Sequence, residues 1–167
     1  PRKSDWADGG GVAVGLGAPG AGREAAEGVV DAAAERGSPA AVLIEEAGPR
    51  GRGTEVIVGG VGDPAFVPVV LMGIGGVFTE IFEDTSHRIA PIDRAEARSA
   101  IEDLRAAPVL RGARGRDPAD LDALAAAVVA VGDLVTDYPI AELNVNPLLA
   151  TPDGVVALDA LVVLEDA

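Results

Sequence analysis

The chain has 167 residues and no cysteine, and its 27 acidic against 13 basic side chains give a formal net charge of −14. Such a field repels phosphodiester backbones and anionic lipid, so neither nucleic acid nor a membrane surface is expected as a partner. The lack of cysteine excludes disulfides, thiolate chemistry and Cys-based metal sites. No apolar run is long enough for a membrane span and no signal peptide opens the sequence, so a cytoplasmic location is the expectation.

In chain order, residues 1–10 form a polar, Gly-rich loop that leads into an expected strand over residues 11–16. A helix is expected over residues 24–36, with Ala26, Val29, Val30 and Ala33 on one stripe and Gly37 as its stop. Residues 40–46 are an apolar run of strand length ending in the acids Glu45 and Glu46, expected as a buried strand. After a turn at 48–53, residues 54–61 alternate as the first arm of a hairpin, with Asp63-Pro64 at its turn and 68–72 as the return arm. The Gly73-Ile74-Gly75-Gly76 stretch permits a tight bend or a close backbone approach. A short strand is expected around 78–82, followed by the segment 88–91.

Asp93 is placed to cap a helix over 95–106, and Asp117-Pro118 to open a longer helix reaching Val135. That helix carries Leu121, Leu124, Val128, Val131, Leu134 and Val135 at core-facing spacing. Strands and helices are mixed without strict alternation, which indicates an α+β layering. With only 3% aromatic residues, the core is expected to consist of small aliphatic side chains.

The most informative stretch is residues 141–149, answered by 155–159 across a Gly/Pro-bearing turn. Side chains alternate along a strand, so Glu142, Asn144 and Asn146 share one face, with Asp159 on the neighbouring strand. Two readings follow from spacing alone: a solvated polar face of an edge hairpin, or oxygen ligands for a hard cation such as Mg²⁺. Elsewhere, Lys3-Ser4-Asp5 with Gly9-Gly10-Gly11 reads either as a flexible terminal loop or as a phosphate loop in which glycines admit backbone N–H groups. His87 and Arg88 precede an apolar segment, and the arginines between 111 and 116 form either an anion site or a solvated loop.

Glu142-Leu143-Asn144-Val145-Asn146-Pro147-Leu148 followed by Val155-Val156-Ala157-Leu158-Asp159 resembles the metal-binding hairpin of ATP-grasp proteins. Together with Lys3-Ser4-Asp5, Gly9-Gly10-Gly11, the Glu45-Glu46 strand end, Gly73-Ile74-Gly75-Gly76, His87-Arg88-Ile89-Ala90-Pro91 and Arg111-Gly112-Ala113-Arg114-Gly115, it extends the likeness over nearly the whole chain. The chain is similar to the nucleotide-binding region of NDP-forming acyl-CoA synthetases, the group of ADP-forming acetate–CoA ligase and, more distantly, succinyl-CoA ligase. The resemblance implies an α+β ATP-grasp fold, with residues 1–50 the remainder of a first subdomain and 51–167 a second subdomain carrying the hairpin. It implies the reaction acyl-CoA + ADP + phosphate = acid + CoA + ATP, with Mg²⁺ and ATP/ADP as cofactors and a CoA-binding domain or subunit as partner.

By the same resemblance, Lys3, Ser4, Gly10, Gly11, Glu45, Glu55 and Arg88 meet the nucleotide, while Asn146, Asp159 and Asn144 hold the metal. Two departures stand out. The family's loop carries a phosphoryl-accepting His where this chain has Arg2, a side chain that stays protonated and non-nucleophilic, so no catalytic residue is assigned. Asn144 stands where the family more often has an acid, with Glu142 on the same face to compensate. Beside the synthetase portion stands a second expectation, a degenerate non-catalytic module of a larger protein such as an acetyltransferase fusion. A third is a subunit that only completes a partner's fold.

Overall fold

Residues 20–34 are mostly alanine, valine and charged side chains, and they form helix α1, Pro19–Glu35, in the computed structural model. It begins five residues before the expected start at Glu24. Gly37 ends it at φ +70°, a backbone that glycine adopts freely, and donates its N–H to the Ala34 carbonyl at 2.9 Å. The structure describes residues 11–35, 37, 41–49, 53–63, 65–75 and 84–165. By internal contacts the chain divides into two units, Pro1–Arg50 and Gly51–Ala167.

In the first unit the two expected strands do not form: residues 11–17 and 41–49 carry no strand ladder. Val14 and Ile44 are each 84% exposed, and Ala33 is this unit's one buried hydrophobic residue among those described. Apolar patterning supplies a buried face, but a strand also needs a neighbour to take its N–H and C=O groups. No such neighbour pairs with these runs among the described residues.

The second unit is built on one antiparallel sheet. Its strands are β1 (Thr54–Asp63), β2 (Phe66–Ile74), β3 (Thr85–Ile89), β4 (Ile140–Thr151), β5 (Gly154–Ala157) and β6 (Ala160–Leu164). They run in the order β3-β2-β1-β4-β5, with β6 also paired to β4. The expected strand around 78–82 lies outside the described residues. The helices are α2 (Arg94–Glu102), the single turn α3 (Ala107–Leu110) and α4 (Leu121–Asp137), with a 3₁₀ turn at Ala113–Gly115. This is the α+β layering that the mixed order of elements indicated.

Strand pairing separates the two faces of the sheet. Val56, Val58 and Gly60 stand opposite Ile74, Met72 and Val70 on one side and Leu148, Val145 and Leu143 on the other. These residues share the face on which the helices pack, and with Ile101, Leu110, Leu124 and Val128 they make the core. Each fully buried Leu, Ile or Val contributes roughly 1.5–3 kcal/mol. Helix α4 lies close on the strands because two glycines leave room. A Cβ on Gly60 would sit 2.6 Å from Val135 Cγ1, and one on Gly132 would sit 3.3 Å from Val70 Cγ2.

Caps set the helix starts. Asp93 accepts from the Glu96 N–H at 2.8 Å while the Glu96 carboxylate accepts from the Asp93 N–H at 3.1 Å, a reciprocal capping box. Helix α4 starts later than Asp117-Pro118 suggests. Asp120 caps it, accepting from the Asp122 and Ala123 N–H groups at 3.0 and 2.9 Å. Its own N–H is drawn to the Thr151 carbonyl at 2.8 Å, a tertiary bond that moves the start past the proline. Of the expected stripe, Leu124, Val128, Val131 and Val135 are buried, whereas Leu134 is 40% exposed. No helix among the described residues is long and apolar enough to cross a membrane.

Candidate metal centre

The site grows from an irregularity in β4. Along β1, Val58 pairs with Val145 but Val56 pairs with Leu148, so β4 carries one more residue than its partner. The extra residue belongs to Asn146-Pro147, joined by a cis peptide bond. A bulge of this kind shifts the alternation of side chains and turns the strand locally. Residues 143 and 145 face the helices before it, 148 and 150 after it.

The partner of β4 is interrupted at the same level. Strand β5 leaves at Ala157 and β6 joins at Ala160, so Leu158 and Asp159 span the gap. The Asn146 N–H donates to the Asp159 carbonyl, and the Leu158 N–H donates to the Pro147 carbonyl, each at 3.0 Å. Asp159 and Asn146 are thereby brought side by side. Strand β6 was not foreseen. The sequence signals the hairpin turn, which the structure narrows to Pro152 and Asp153, but not the second strand after Asp159.

Asn144 lies on the open face of the sheet, opposite Gly59 on β1 and Leu161 on β6, with Glu142 on the same face opposite Val61 and Val163. Its side-chain Oδ1 is buried and has no hydrogen-bond partner among the described residues. Leaving a buried carbonyl oxygen unsatisfied costs about 1–3 kcal/mol. A hard cation would satisfy it, and Asn144, Asn146 and Asp159 offer the oxygen donors such an ion takes. The donor set therefore fits Mg²⁺. It is also poor in charge: no group of three or more His, Cys, Asp or Glu side chains suited to a metal occurs among the described residues. Such a set suits an ion that shares its coordination with phosphate oxygens.

Glu55 is on the same open face, exposed, and opposite Leu149. It lies four positions before Gly59 on β1, which places it ~13 Å along the strand from the level of Asn144. Its carbonyl accepts from the Gly75 N–H at 2.7 Å. A Cβ on Gly75 would sit 3.0 Å from that carbonyl, so the glycine stretch does serve a close backbone approach. Lys3, Ser4 and Gly10 lie outside the described residues. Gly11 and Glu45 fall in the irregular segments of the first unit, and Glu45 is exposed.

Arg88 does not join this face. It pairs with Val70, a core-facing position, while His87 pairs with Leu71 on the open face. Strand alternation decides between neighbours here. The Arg88 guanidinium donates to Asp103 Oδ2 at 2.6 Å, to Ser86 Oγ at 3.0 Å and to Ser99 Oγ at 3.3 Å, fastening β3 to α2. In this arrangement the Arg88 guanidinium is engaged on the helix side of the sheet, away from the face that carries Asn144.

Sequence reasoning also missed Asp84, whose carboxylate accepts from the Arg105 and Ala106 N–H groups at 2.8 and 2.9 Å. It anchors the entry to β3 on the α2–α3 corner. No local pattern announces a contact twenty-one residues away.

With this geometry in hand, comparison with known proteins is informative. The ATP-grasp domain family matches residues 2–164. Over 124 residues the chain is 44% identical to the beta subunit of ADP-forming acetate–CoA ligase I from Pyrococcus furiosus, covering 74% of this chain and 53% of that protein. Over 127 residues it is 42% identical to a trans-feruloyl-CoA synthase from an unknown prokaryotic organism, covering 74% of this chain and 18% of that protein.

Among solved structures, it superposes with TM-score 0.86 and 34% identity on the dinucleotide-forming acetyl-coenzyme A synthetase 1 of Ca. Korarchaeum cryptofilum. The match covers 99% of this chain and 73% of that one, in a complex described as holding coenzyme A and Mg-AMPPCP. The chain spans about half or less of the length of the curated relatives it matches.

Proposed function

The chain belongs to the ATP-grasp domain family, and from that premise we propose that it is the nucleotide- and magnesium-holding part of an NDP-forming acyl-CoA synthetase. The observation that carries the reading is the unsatisfied Asn144 Oδ1, buried on the sheet face beside a bulge that brings Asn146 against Asp159. Asn144, Asn146 and Asp159 would hold the ion. Bound Mg²⁺ supplies neutralisation of charge between transferring phosphates. Glu55 and Glu45, with Lys3, Ser4, Gly10 and Gly11, are the proposed contacts to the nucleotide, and Arg88 holds the framework.

The chain's own contribution is positioning and electrostatic fit. A rigid sheet fixes the oxygen donors, and fixed donors need no reorganisation when charge moves. The relatives' names span acetate and feruloyl acids, so the identity of the acid is read elsewhere in the synthetase. A CoA-binding domain or subunit is the proposed partner, in keeping with the share of the relatives' length that this chain covers.

Titration calorimetry tests the reading. Mg–ADP should bind, Asp159→Ala should weaken that binding at least tenfold, and Glu165→Ala, at the far end of β6, should change it less than twofold. Equal effects of the two substitutions would remove the metal site from this hairpin.

A second reading, a nucleotide-responsive module without phosphoryl transfer, is favoured by Arg2, which stands where the resemblance to the synthetases implies a phosphoryl-accepting His. Incubation with γ-labelled ATP separates the two. Acid-labile label near residue 2 would support a phosphoryl relay in spite of Arg2, and its absence alongside intact Mg–ADP binding would support the module.

A further inference from the structure

We propose that residues 111–116, between α3 and α4, form a phosphate-group site that is distinct from the metal hairpin and gripped by Arg114. The backbone carries the first argument. Arg114 has φ +60°, the one positive value at a non-glycine residue among those described, and it lies between Gly112 at +87° and Gly115 at +78°. Glycine reaches this region freely, whereas an L side chain there is strained. A chain with 22 glycines, two of them within two residues, nevertheless holds an arginine at this point. Strain retained at one position, against so simple a relief, marks a side chain kept for what it does.

The neighbours carry the second argument. Arg111 forms an ion pair with Glu102 at the end of α2, and Arg116 donates to the Gly53 carbonyl at 3.0 Å just before β1. The loop is thus tied down on both sides of Arg114. The exposed Arg114 guanidinium itself has no hydrogen bond or ion pair among the described residues. Arg116 gives its bond to a neutral carbonyl and has no ion pair among the described residues. The acids closest in chain are Asp117, adjacent to Arg116 and exposed, Asp120, which caps α4, and Asp122, which pairs with Arg98; Glu102 is paired with Arg111. In a molecule of net charge −14, two guanidinium groups within three residues that no acid among the described residues pairs are a local concentration of positive charge.

The third argument is the fit to phosphate. Backbone that alternates the sign of φ, as residues 112–114 do, forms an anion-binding concavity, here without the Gly112 N–H, which donates to the Val109 carbonyl at 3.2 Å. The planar guanidinium fork adds bidentate donors matched to phosphate oxygens. The ligand class is a phosphate group, either free inorganic phosphate or one carried by a nucleotide or CoA.

Thermal unfolding of the whole chain tests this, in sodium phosphate against sodium chloride of equal ionic strength. Phosphate should raise Tm by roughly 2–4 °C at concentrations well above its Kd. Arg114→Gly should unfold at higher temperature than the parent in chloride, because the strain is relieved, yet lose the phosphate-dependent rise. Arg114→Gln keeps the strain and removes the charge, so it should lose the rise without gaining stability.

ADP or CoA acting at lower concentration than inorganic phosphate, through the same Arg114 dependence, would assign the group to the larger ligand. A rise with inorganic phosphate alone would assign the free anion. Asp159→Ala should leave the phosphate response intact, so failure of the metal hairpin and failure of this site are separable. A phosphate response preserved in Arg114→Gly and Arg114→Gln, no response in the parent, or no gain in Tm for Arg114→Gly would overturn the proposal.

Discussion

A single amide oxygen separates the two ways the open face can be used. Asn144 Oδ1 is buried without a hydrogen-bond partner among the described residues, and the residue is neutral, so leaving it unsatisfied carries only a modest cost. Asn144→Asp would bury a carboxylate between Gly59 and Leu161, a charge that requires a counter-ion. The substitution should therefore lower Tm in chelator and recover it in millimolar MgCl₂, and it should tighten Mg²⁺ by adding ligand charge. Differential scanning fluorimetry with and without MgCl₂ reads both effects, and a Tm unchanged in chelator would contradict the burial argument. Arg88 gives the complementary case. Arg88→Ala removes bonds to Asp103, Ser86 and Ser99, in a side chain 24% exposed with a partner 60% exposed. The loss should be about 1 kcal/mol of stability, with Mg–ADP affinity within twofold of the parent by calorimetry. A tenfold loss of affinity would return Arg88 to the phosphates.

At the level of elements, the position of α4 on the sheet depends on small residues and a cap rather than on its stripe alone. Gly60 lies directly under Val135, and an added Cβ would meet it at 2.6 Å. Gly60→Ala should therefore lift the helix and cost about 1–3 kcal/mol, as overpacking does. Asp120→Ala removes the acceptor for two otherwise unbonded N–H groups at the start of the same helix and should cost about 1 kcal/mol. Urea denaturation measures both. Should Gly60→Ala prove neutral, the helix and strand would not be in the contact described.

Over the whole molecule, buried hydrophobic residues are unequally shared. Every one among those described, Ala33 apart, lies in the unit Gly51–Ala167. Amide exchange resistance follows burial and protected hydrogen bonds. Hydrogen exchange should therefore show the slowest amides in β1, β2, β4 and α4. Residues 11–17 and 41–49, which have no ladder, should exchange orders of magnitude faster. Slow exchange in those two segments would mean that they pair after all.

The sequence alone determined what depends on neighbours along the chain. The Asp93 capping box, the α4 stripe and the alternation of residues 54–61 and 141–145 are local patterns with local consequences, and the ATP-grasp likeness was legible in short motifs kept in order. The fate of the first-unit strands, the side of the sheet to which Arg88 belongs and the start of α4 were decided by tertiary structure. Each depends on partners far away in the chain: a ladder neighbour, which residues 11–17 and 41–49 do not find among the described residues, the pairing of Arg88 with Val70, and the Thr151 carbonyl. The proposed metal centre shows both contributions. Spacing placed Asn144 and Asn146 on a strand near Asp159, but the bulge opposite Ile57 and the gap between β5 and β6 brought Asp159 against Asn146 and left Asn144 Oδ1 without a donor. Spacing along one chain cannot specify these, because hydrogen-bond register between strands is set by all the partners at once.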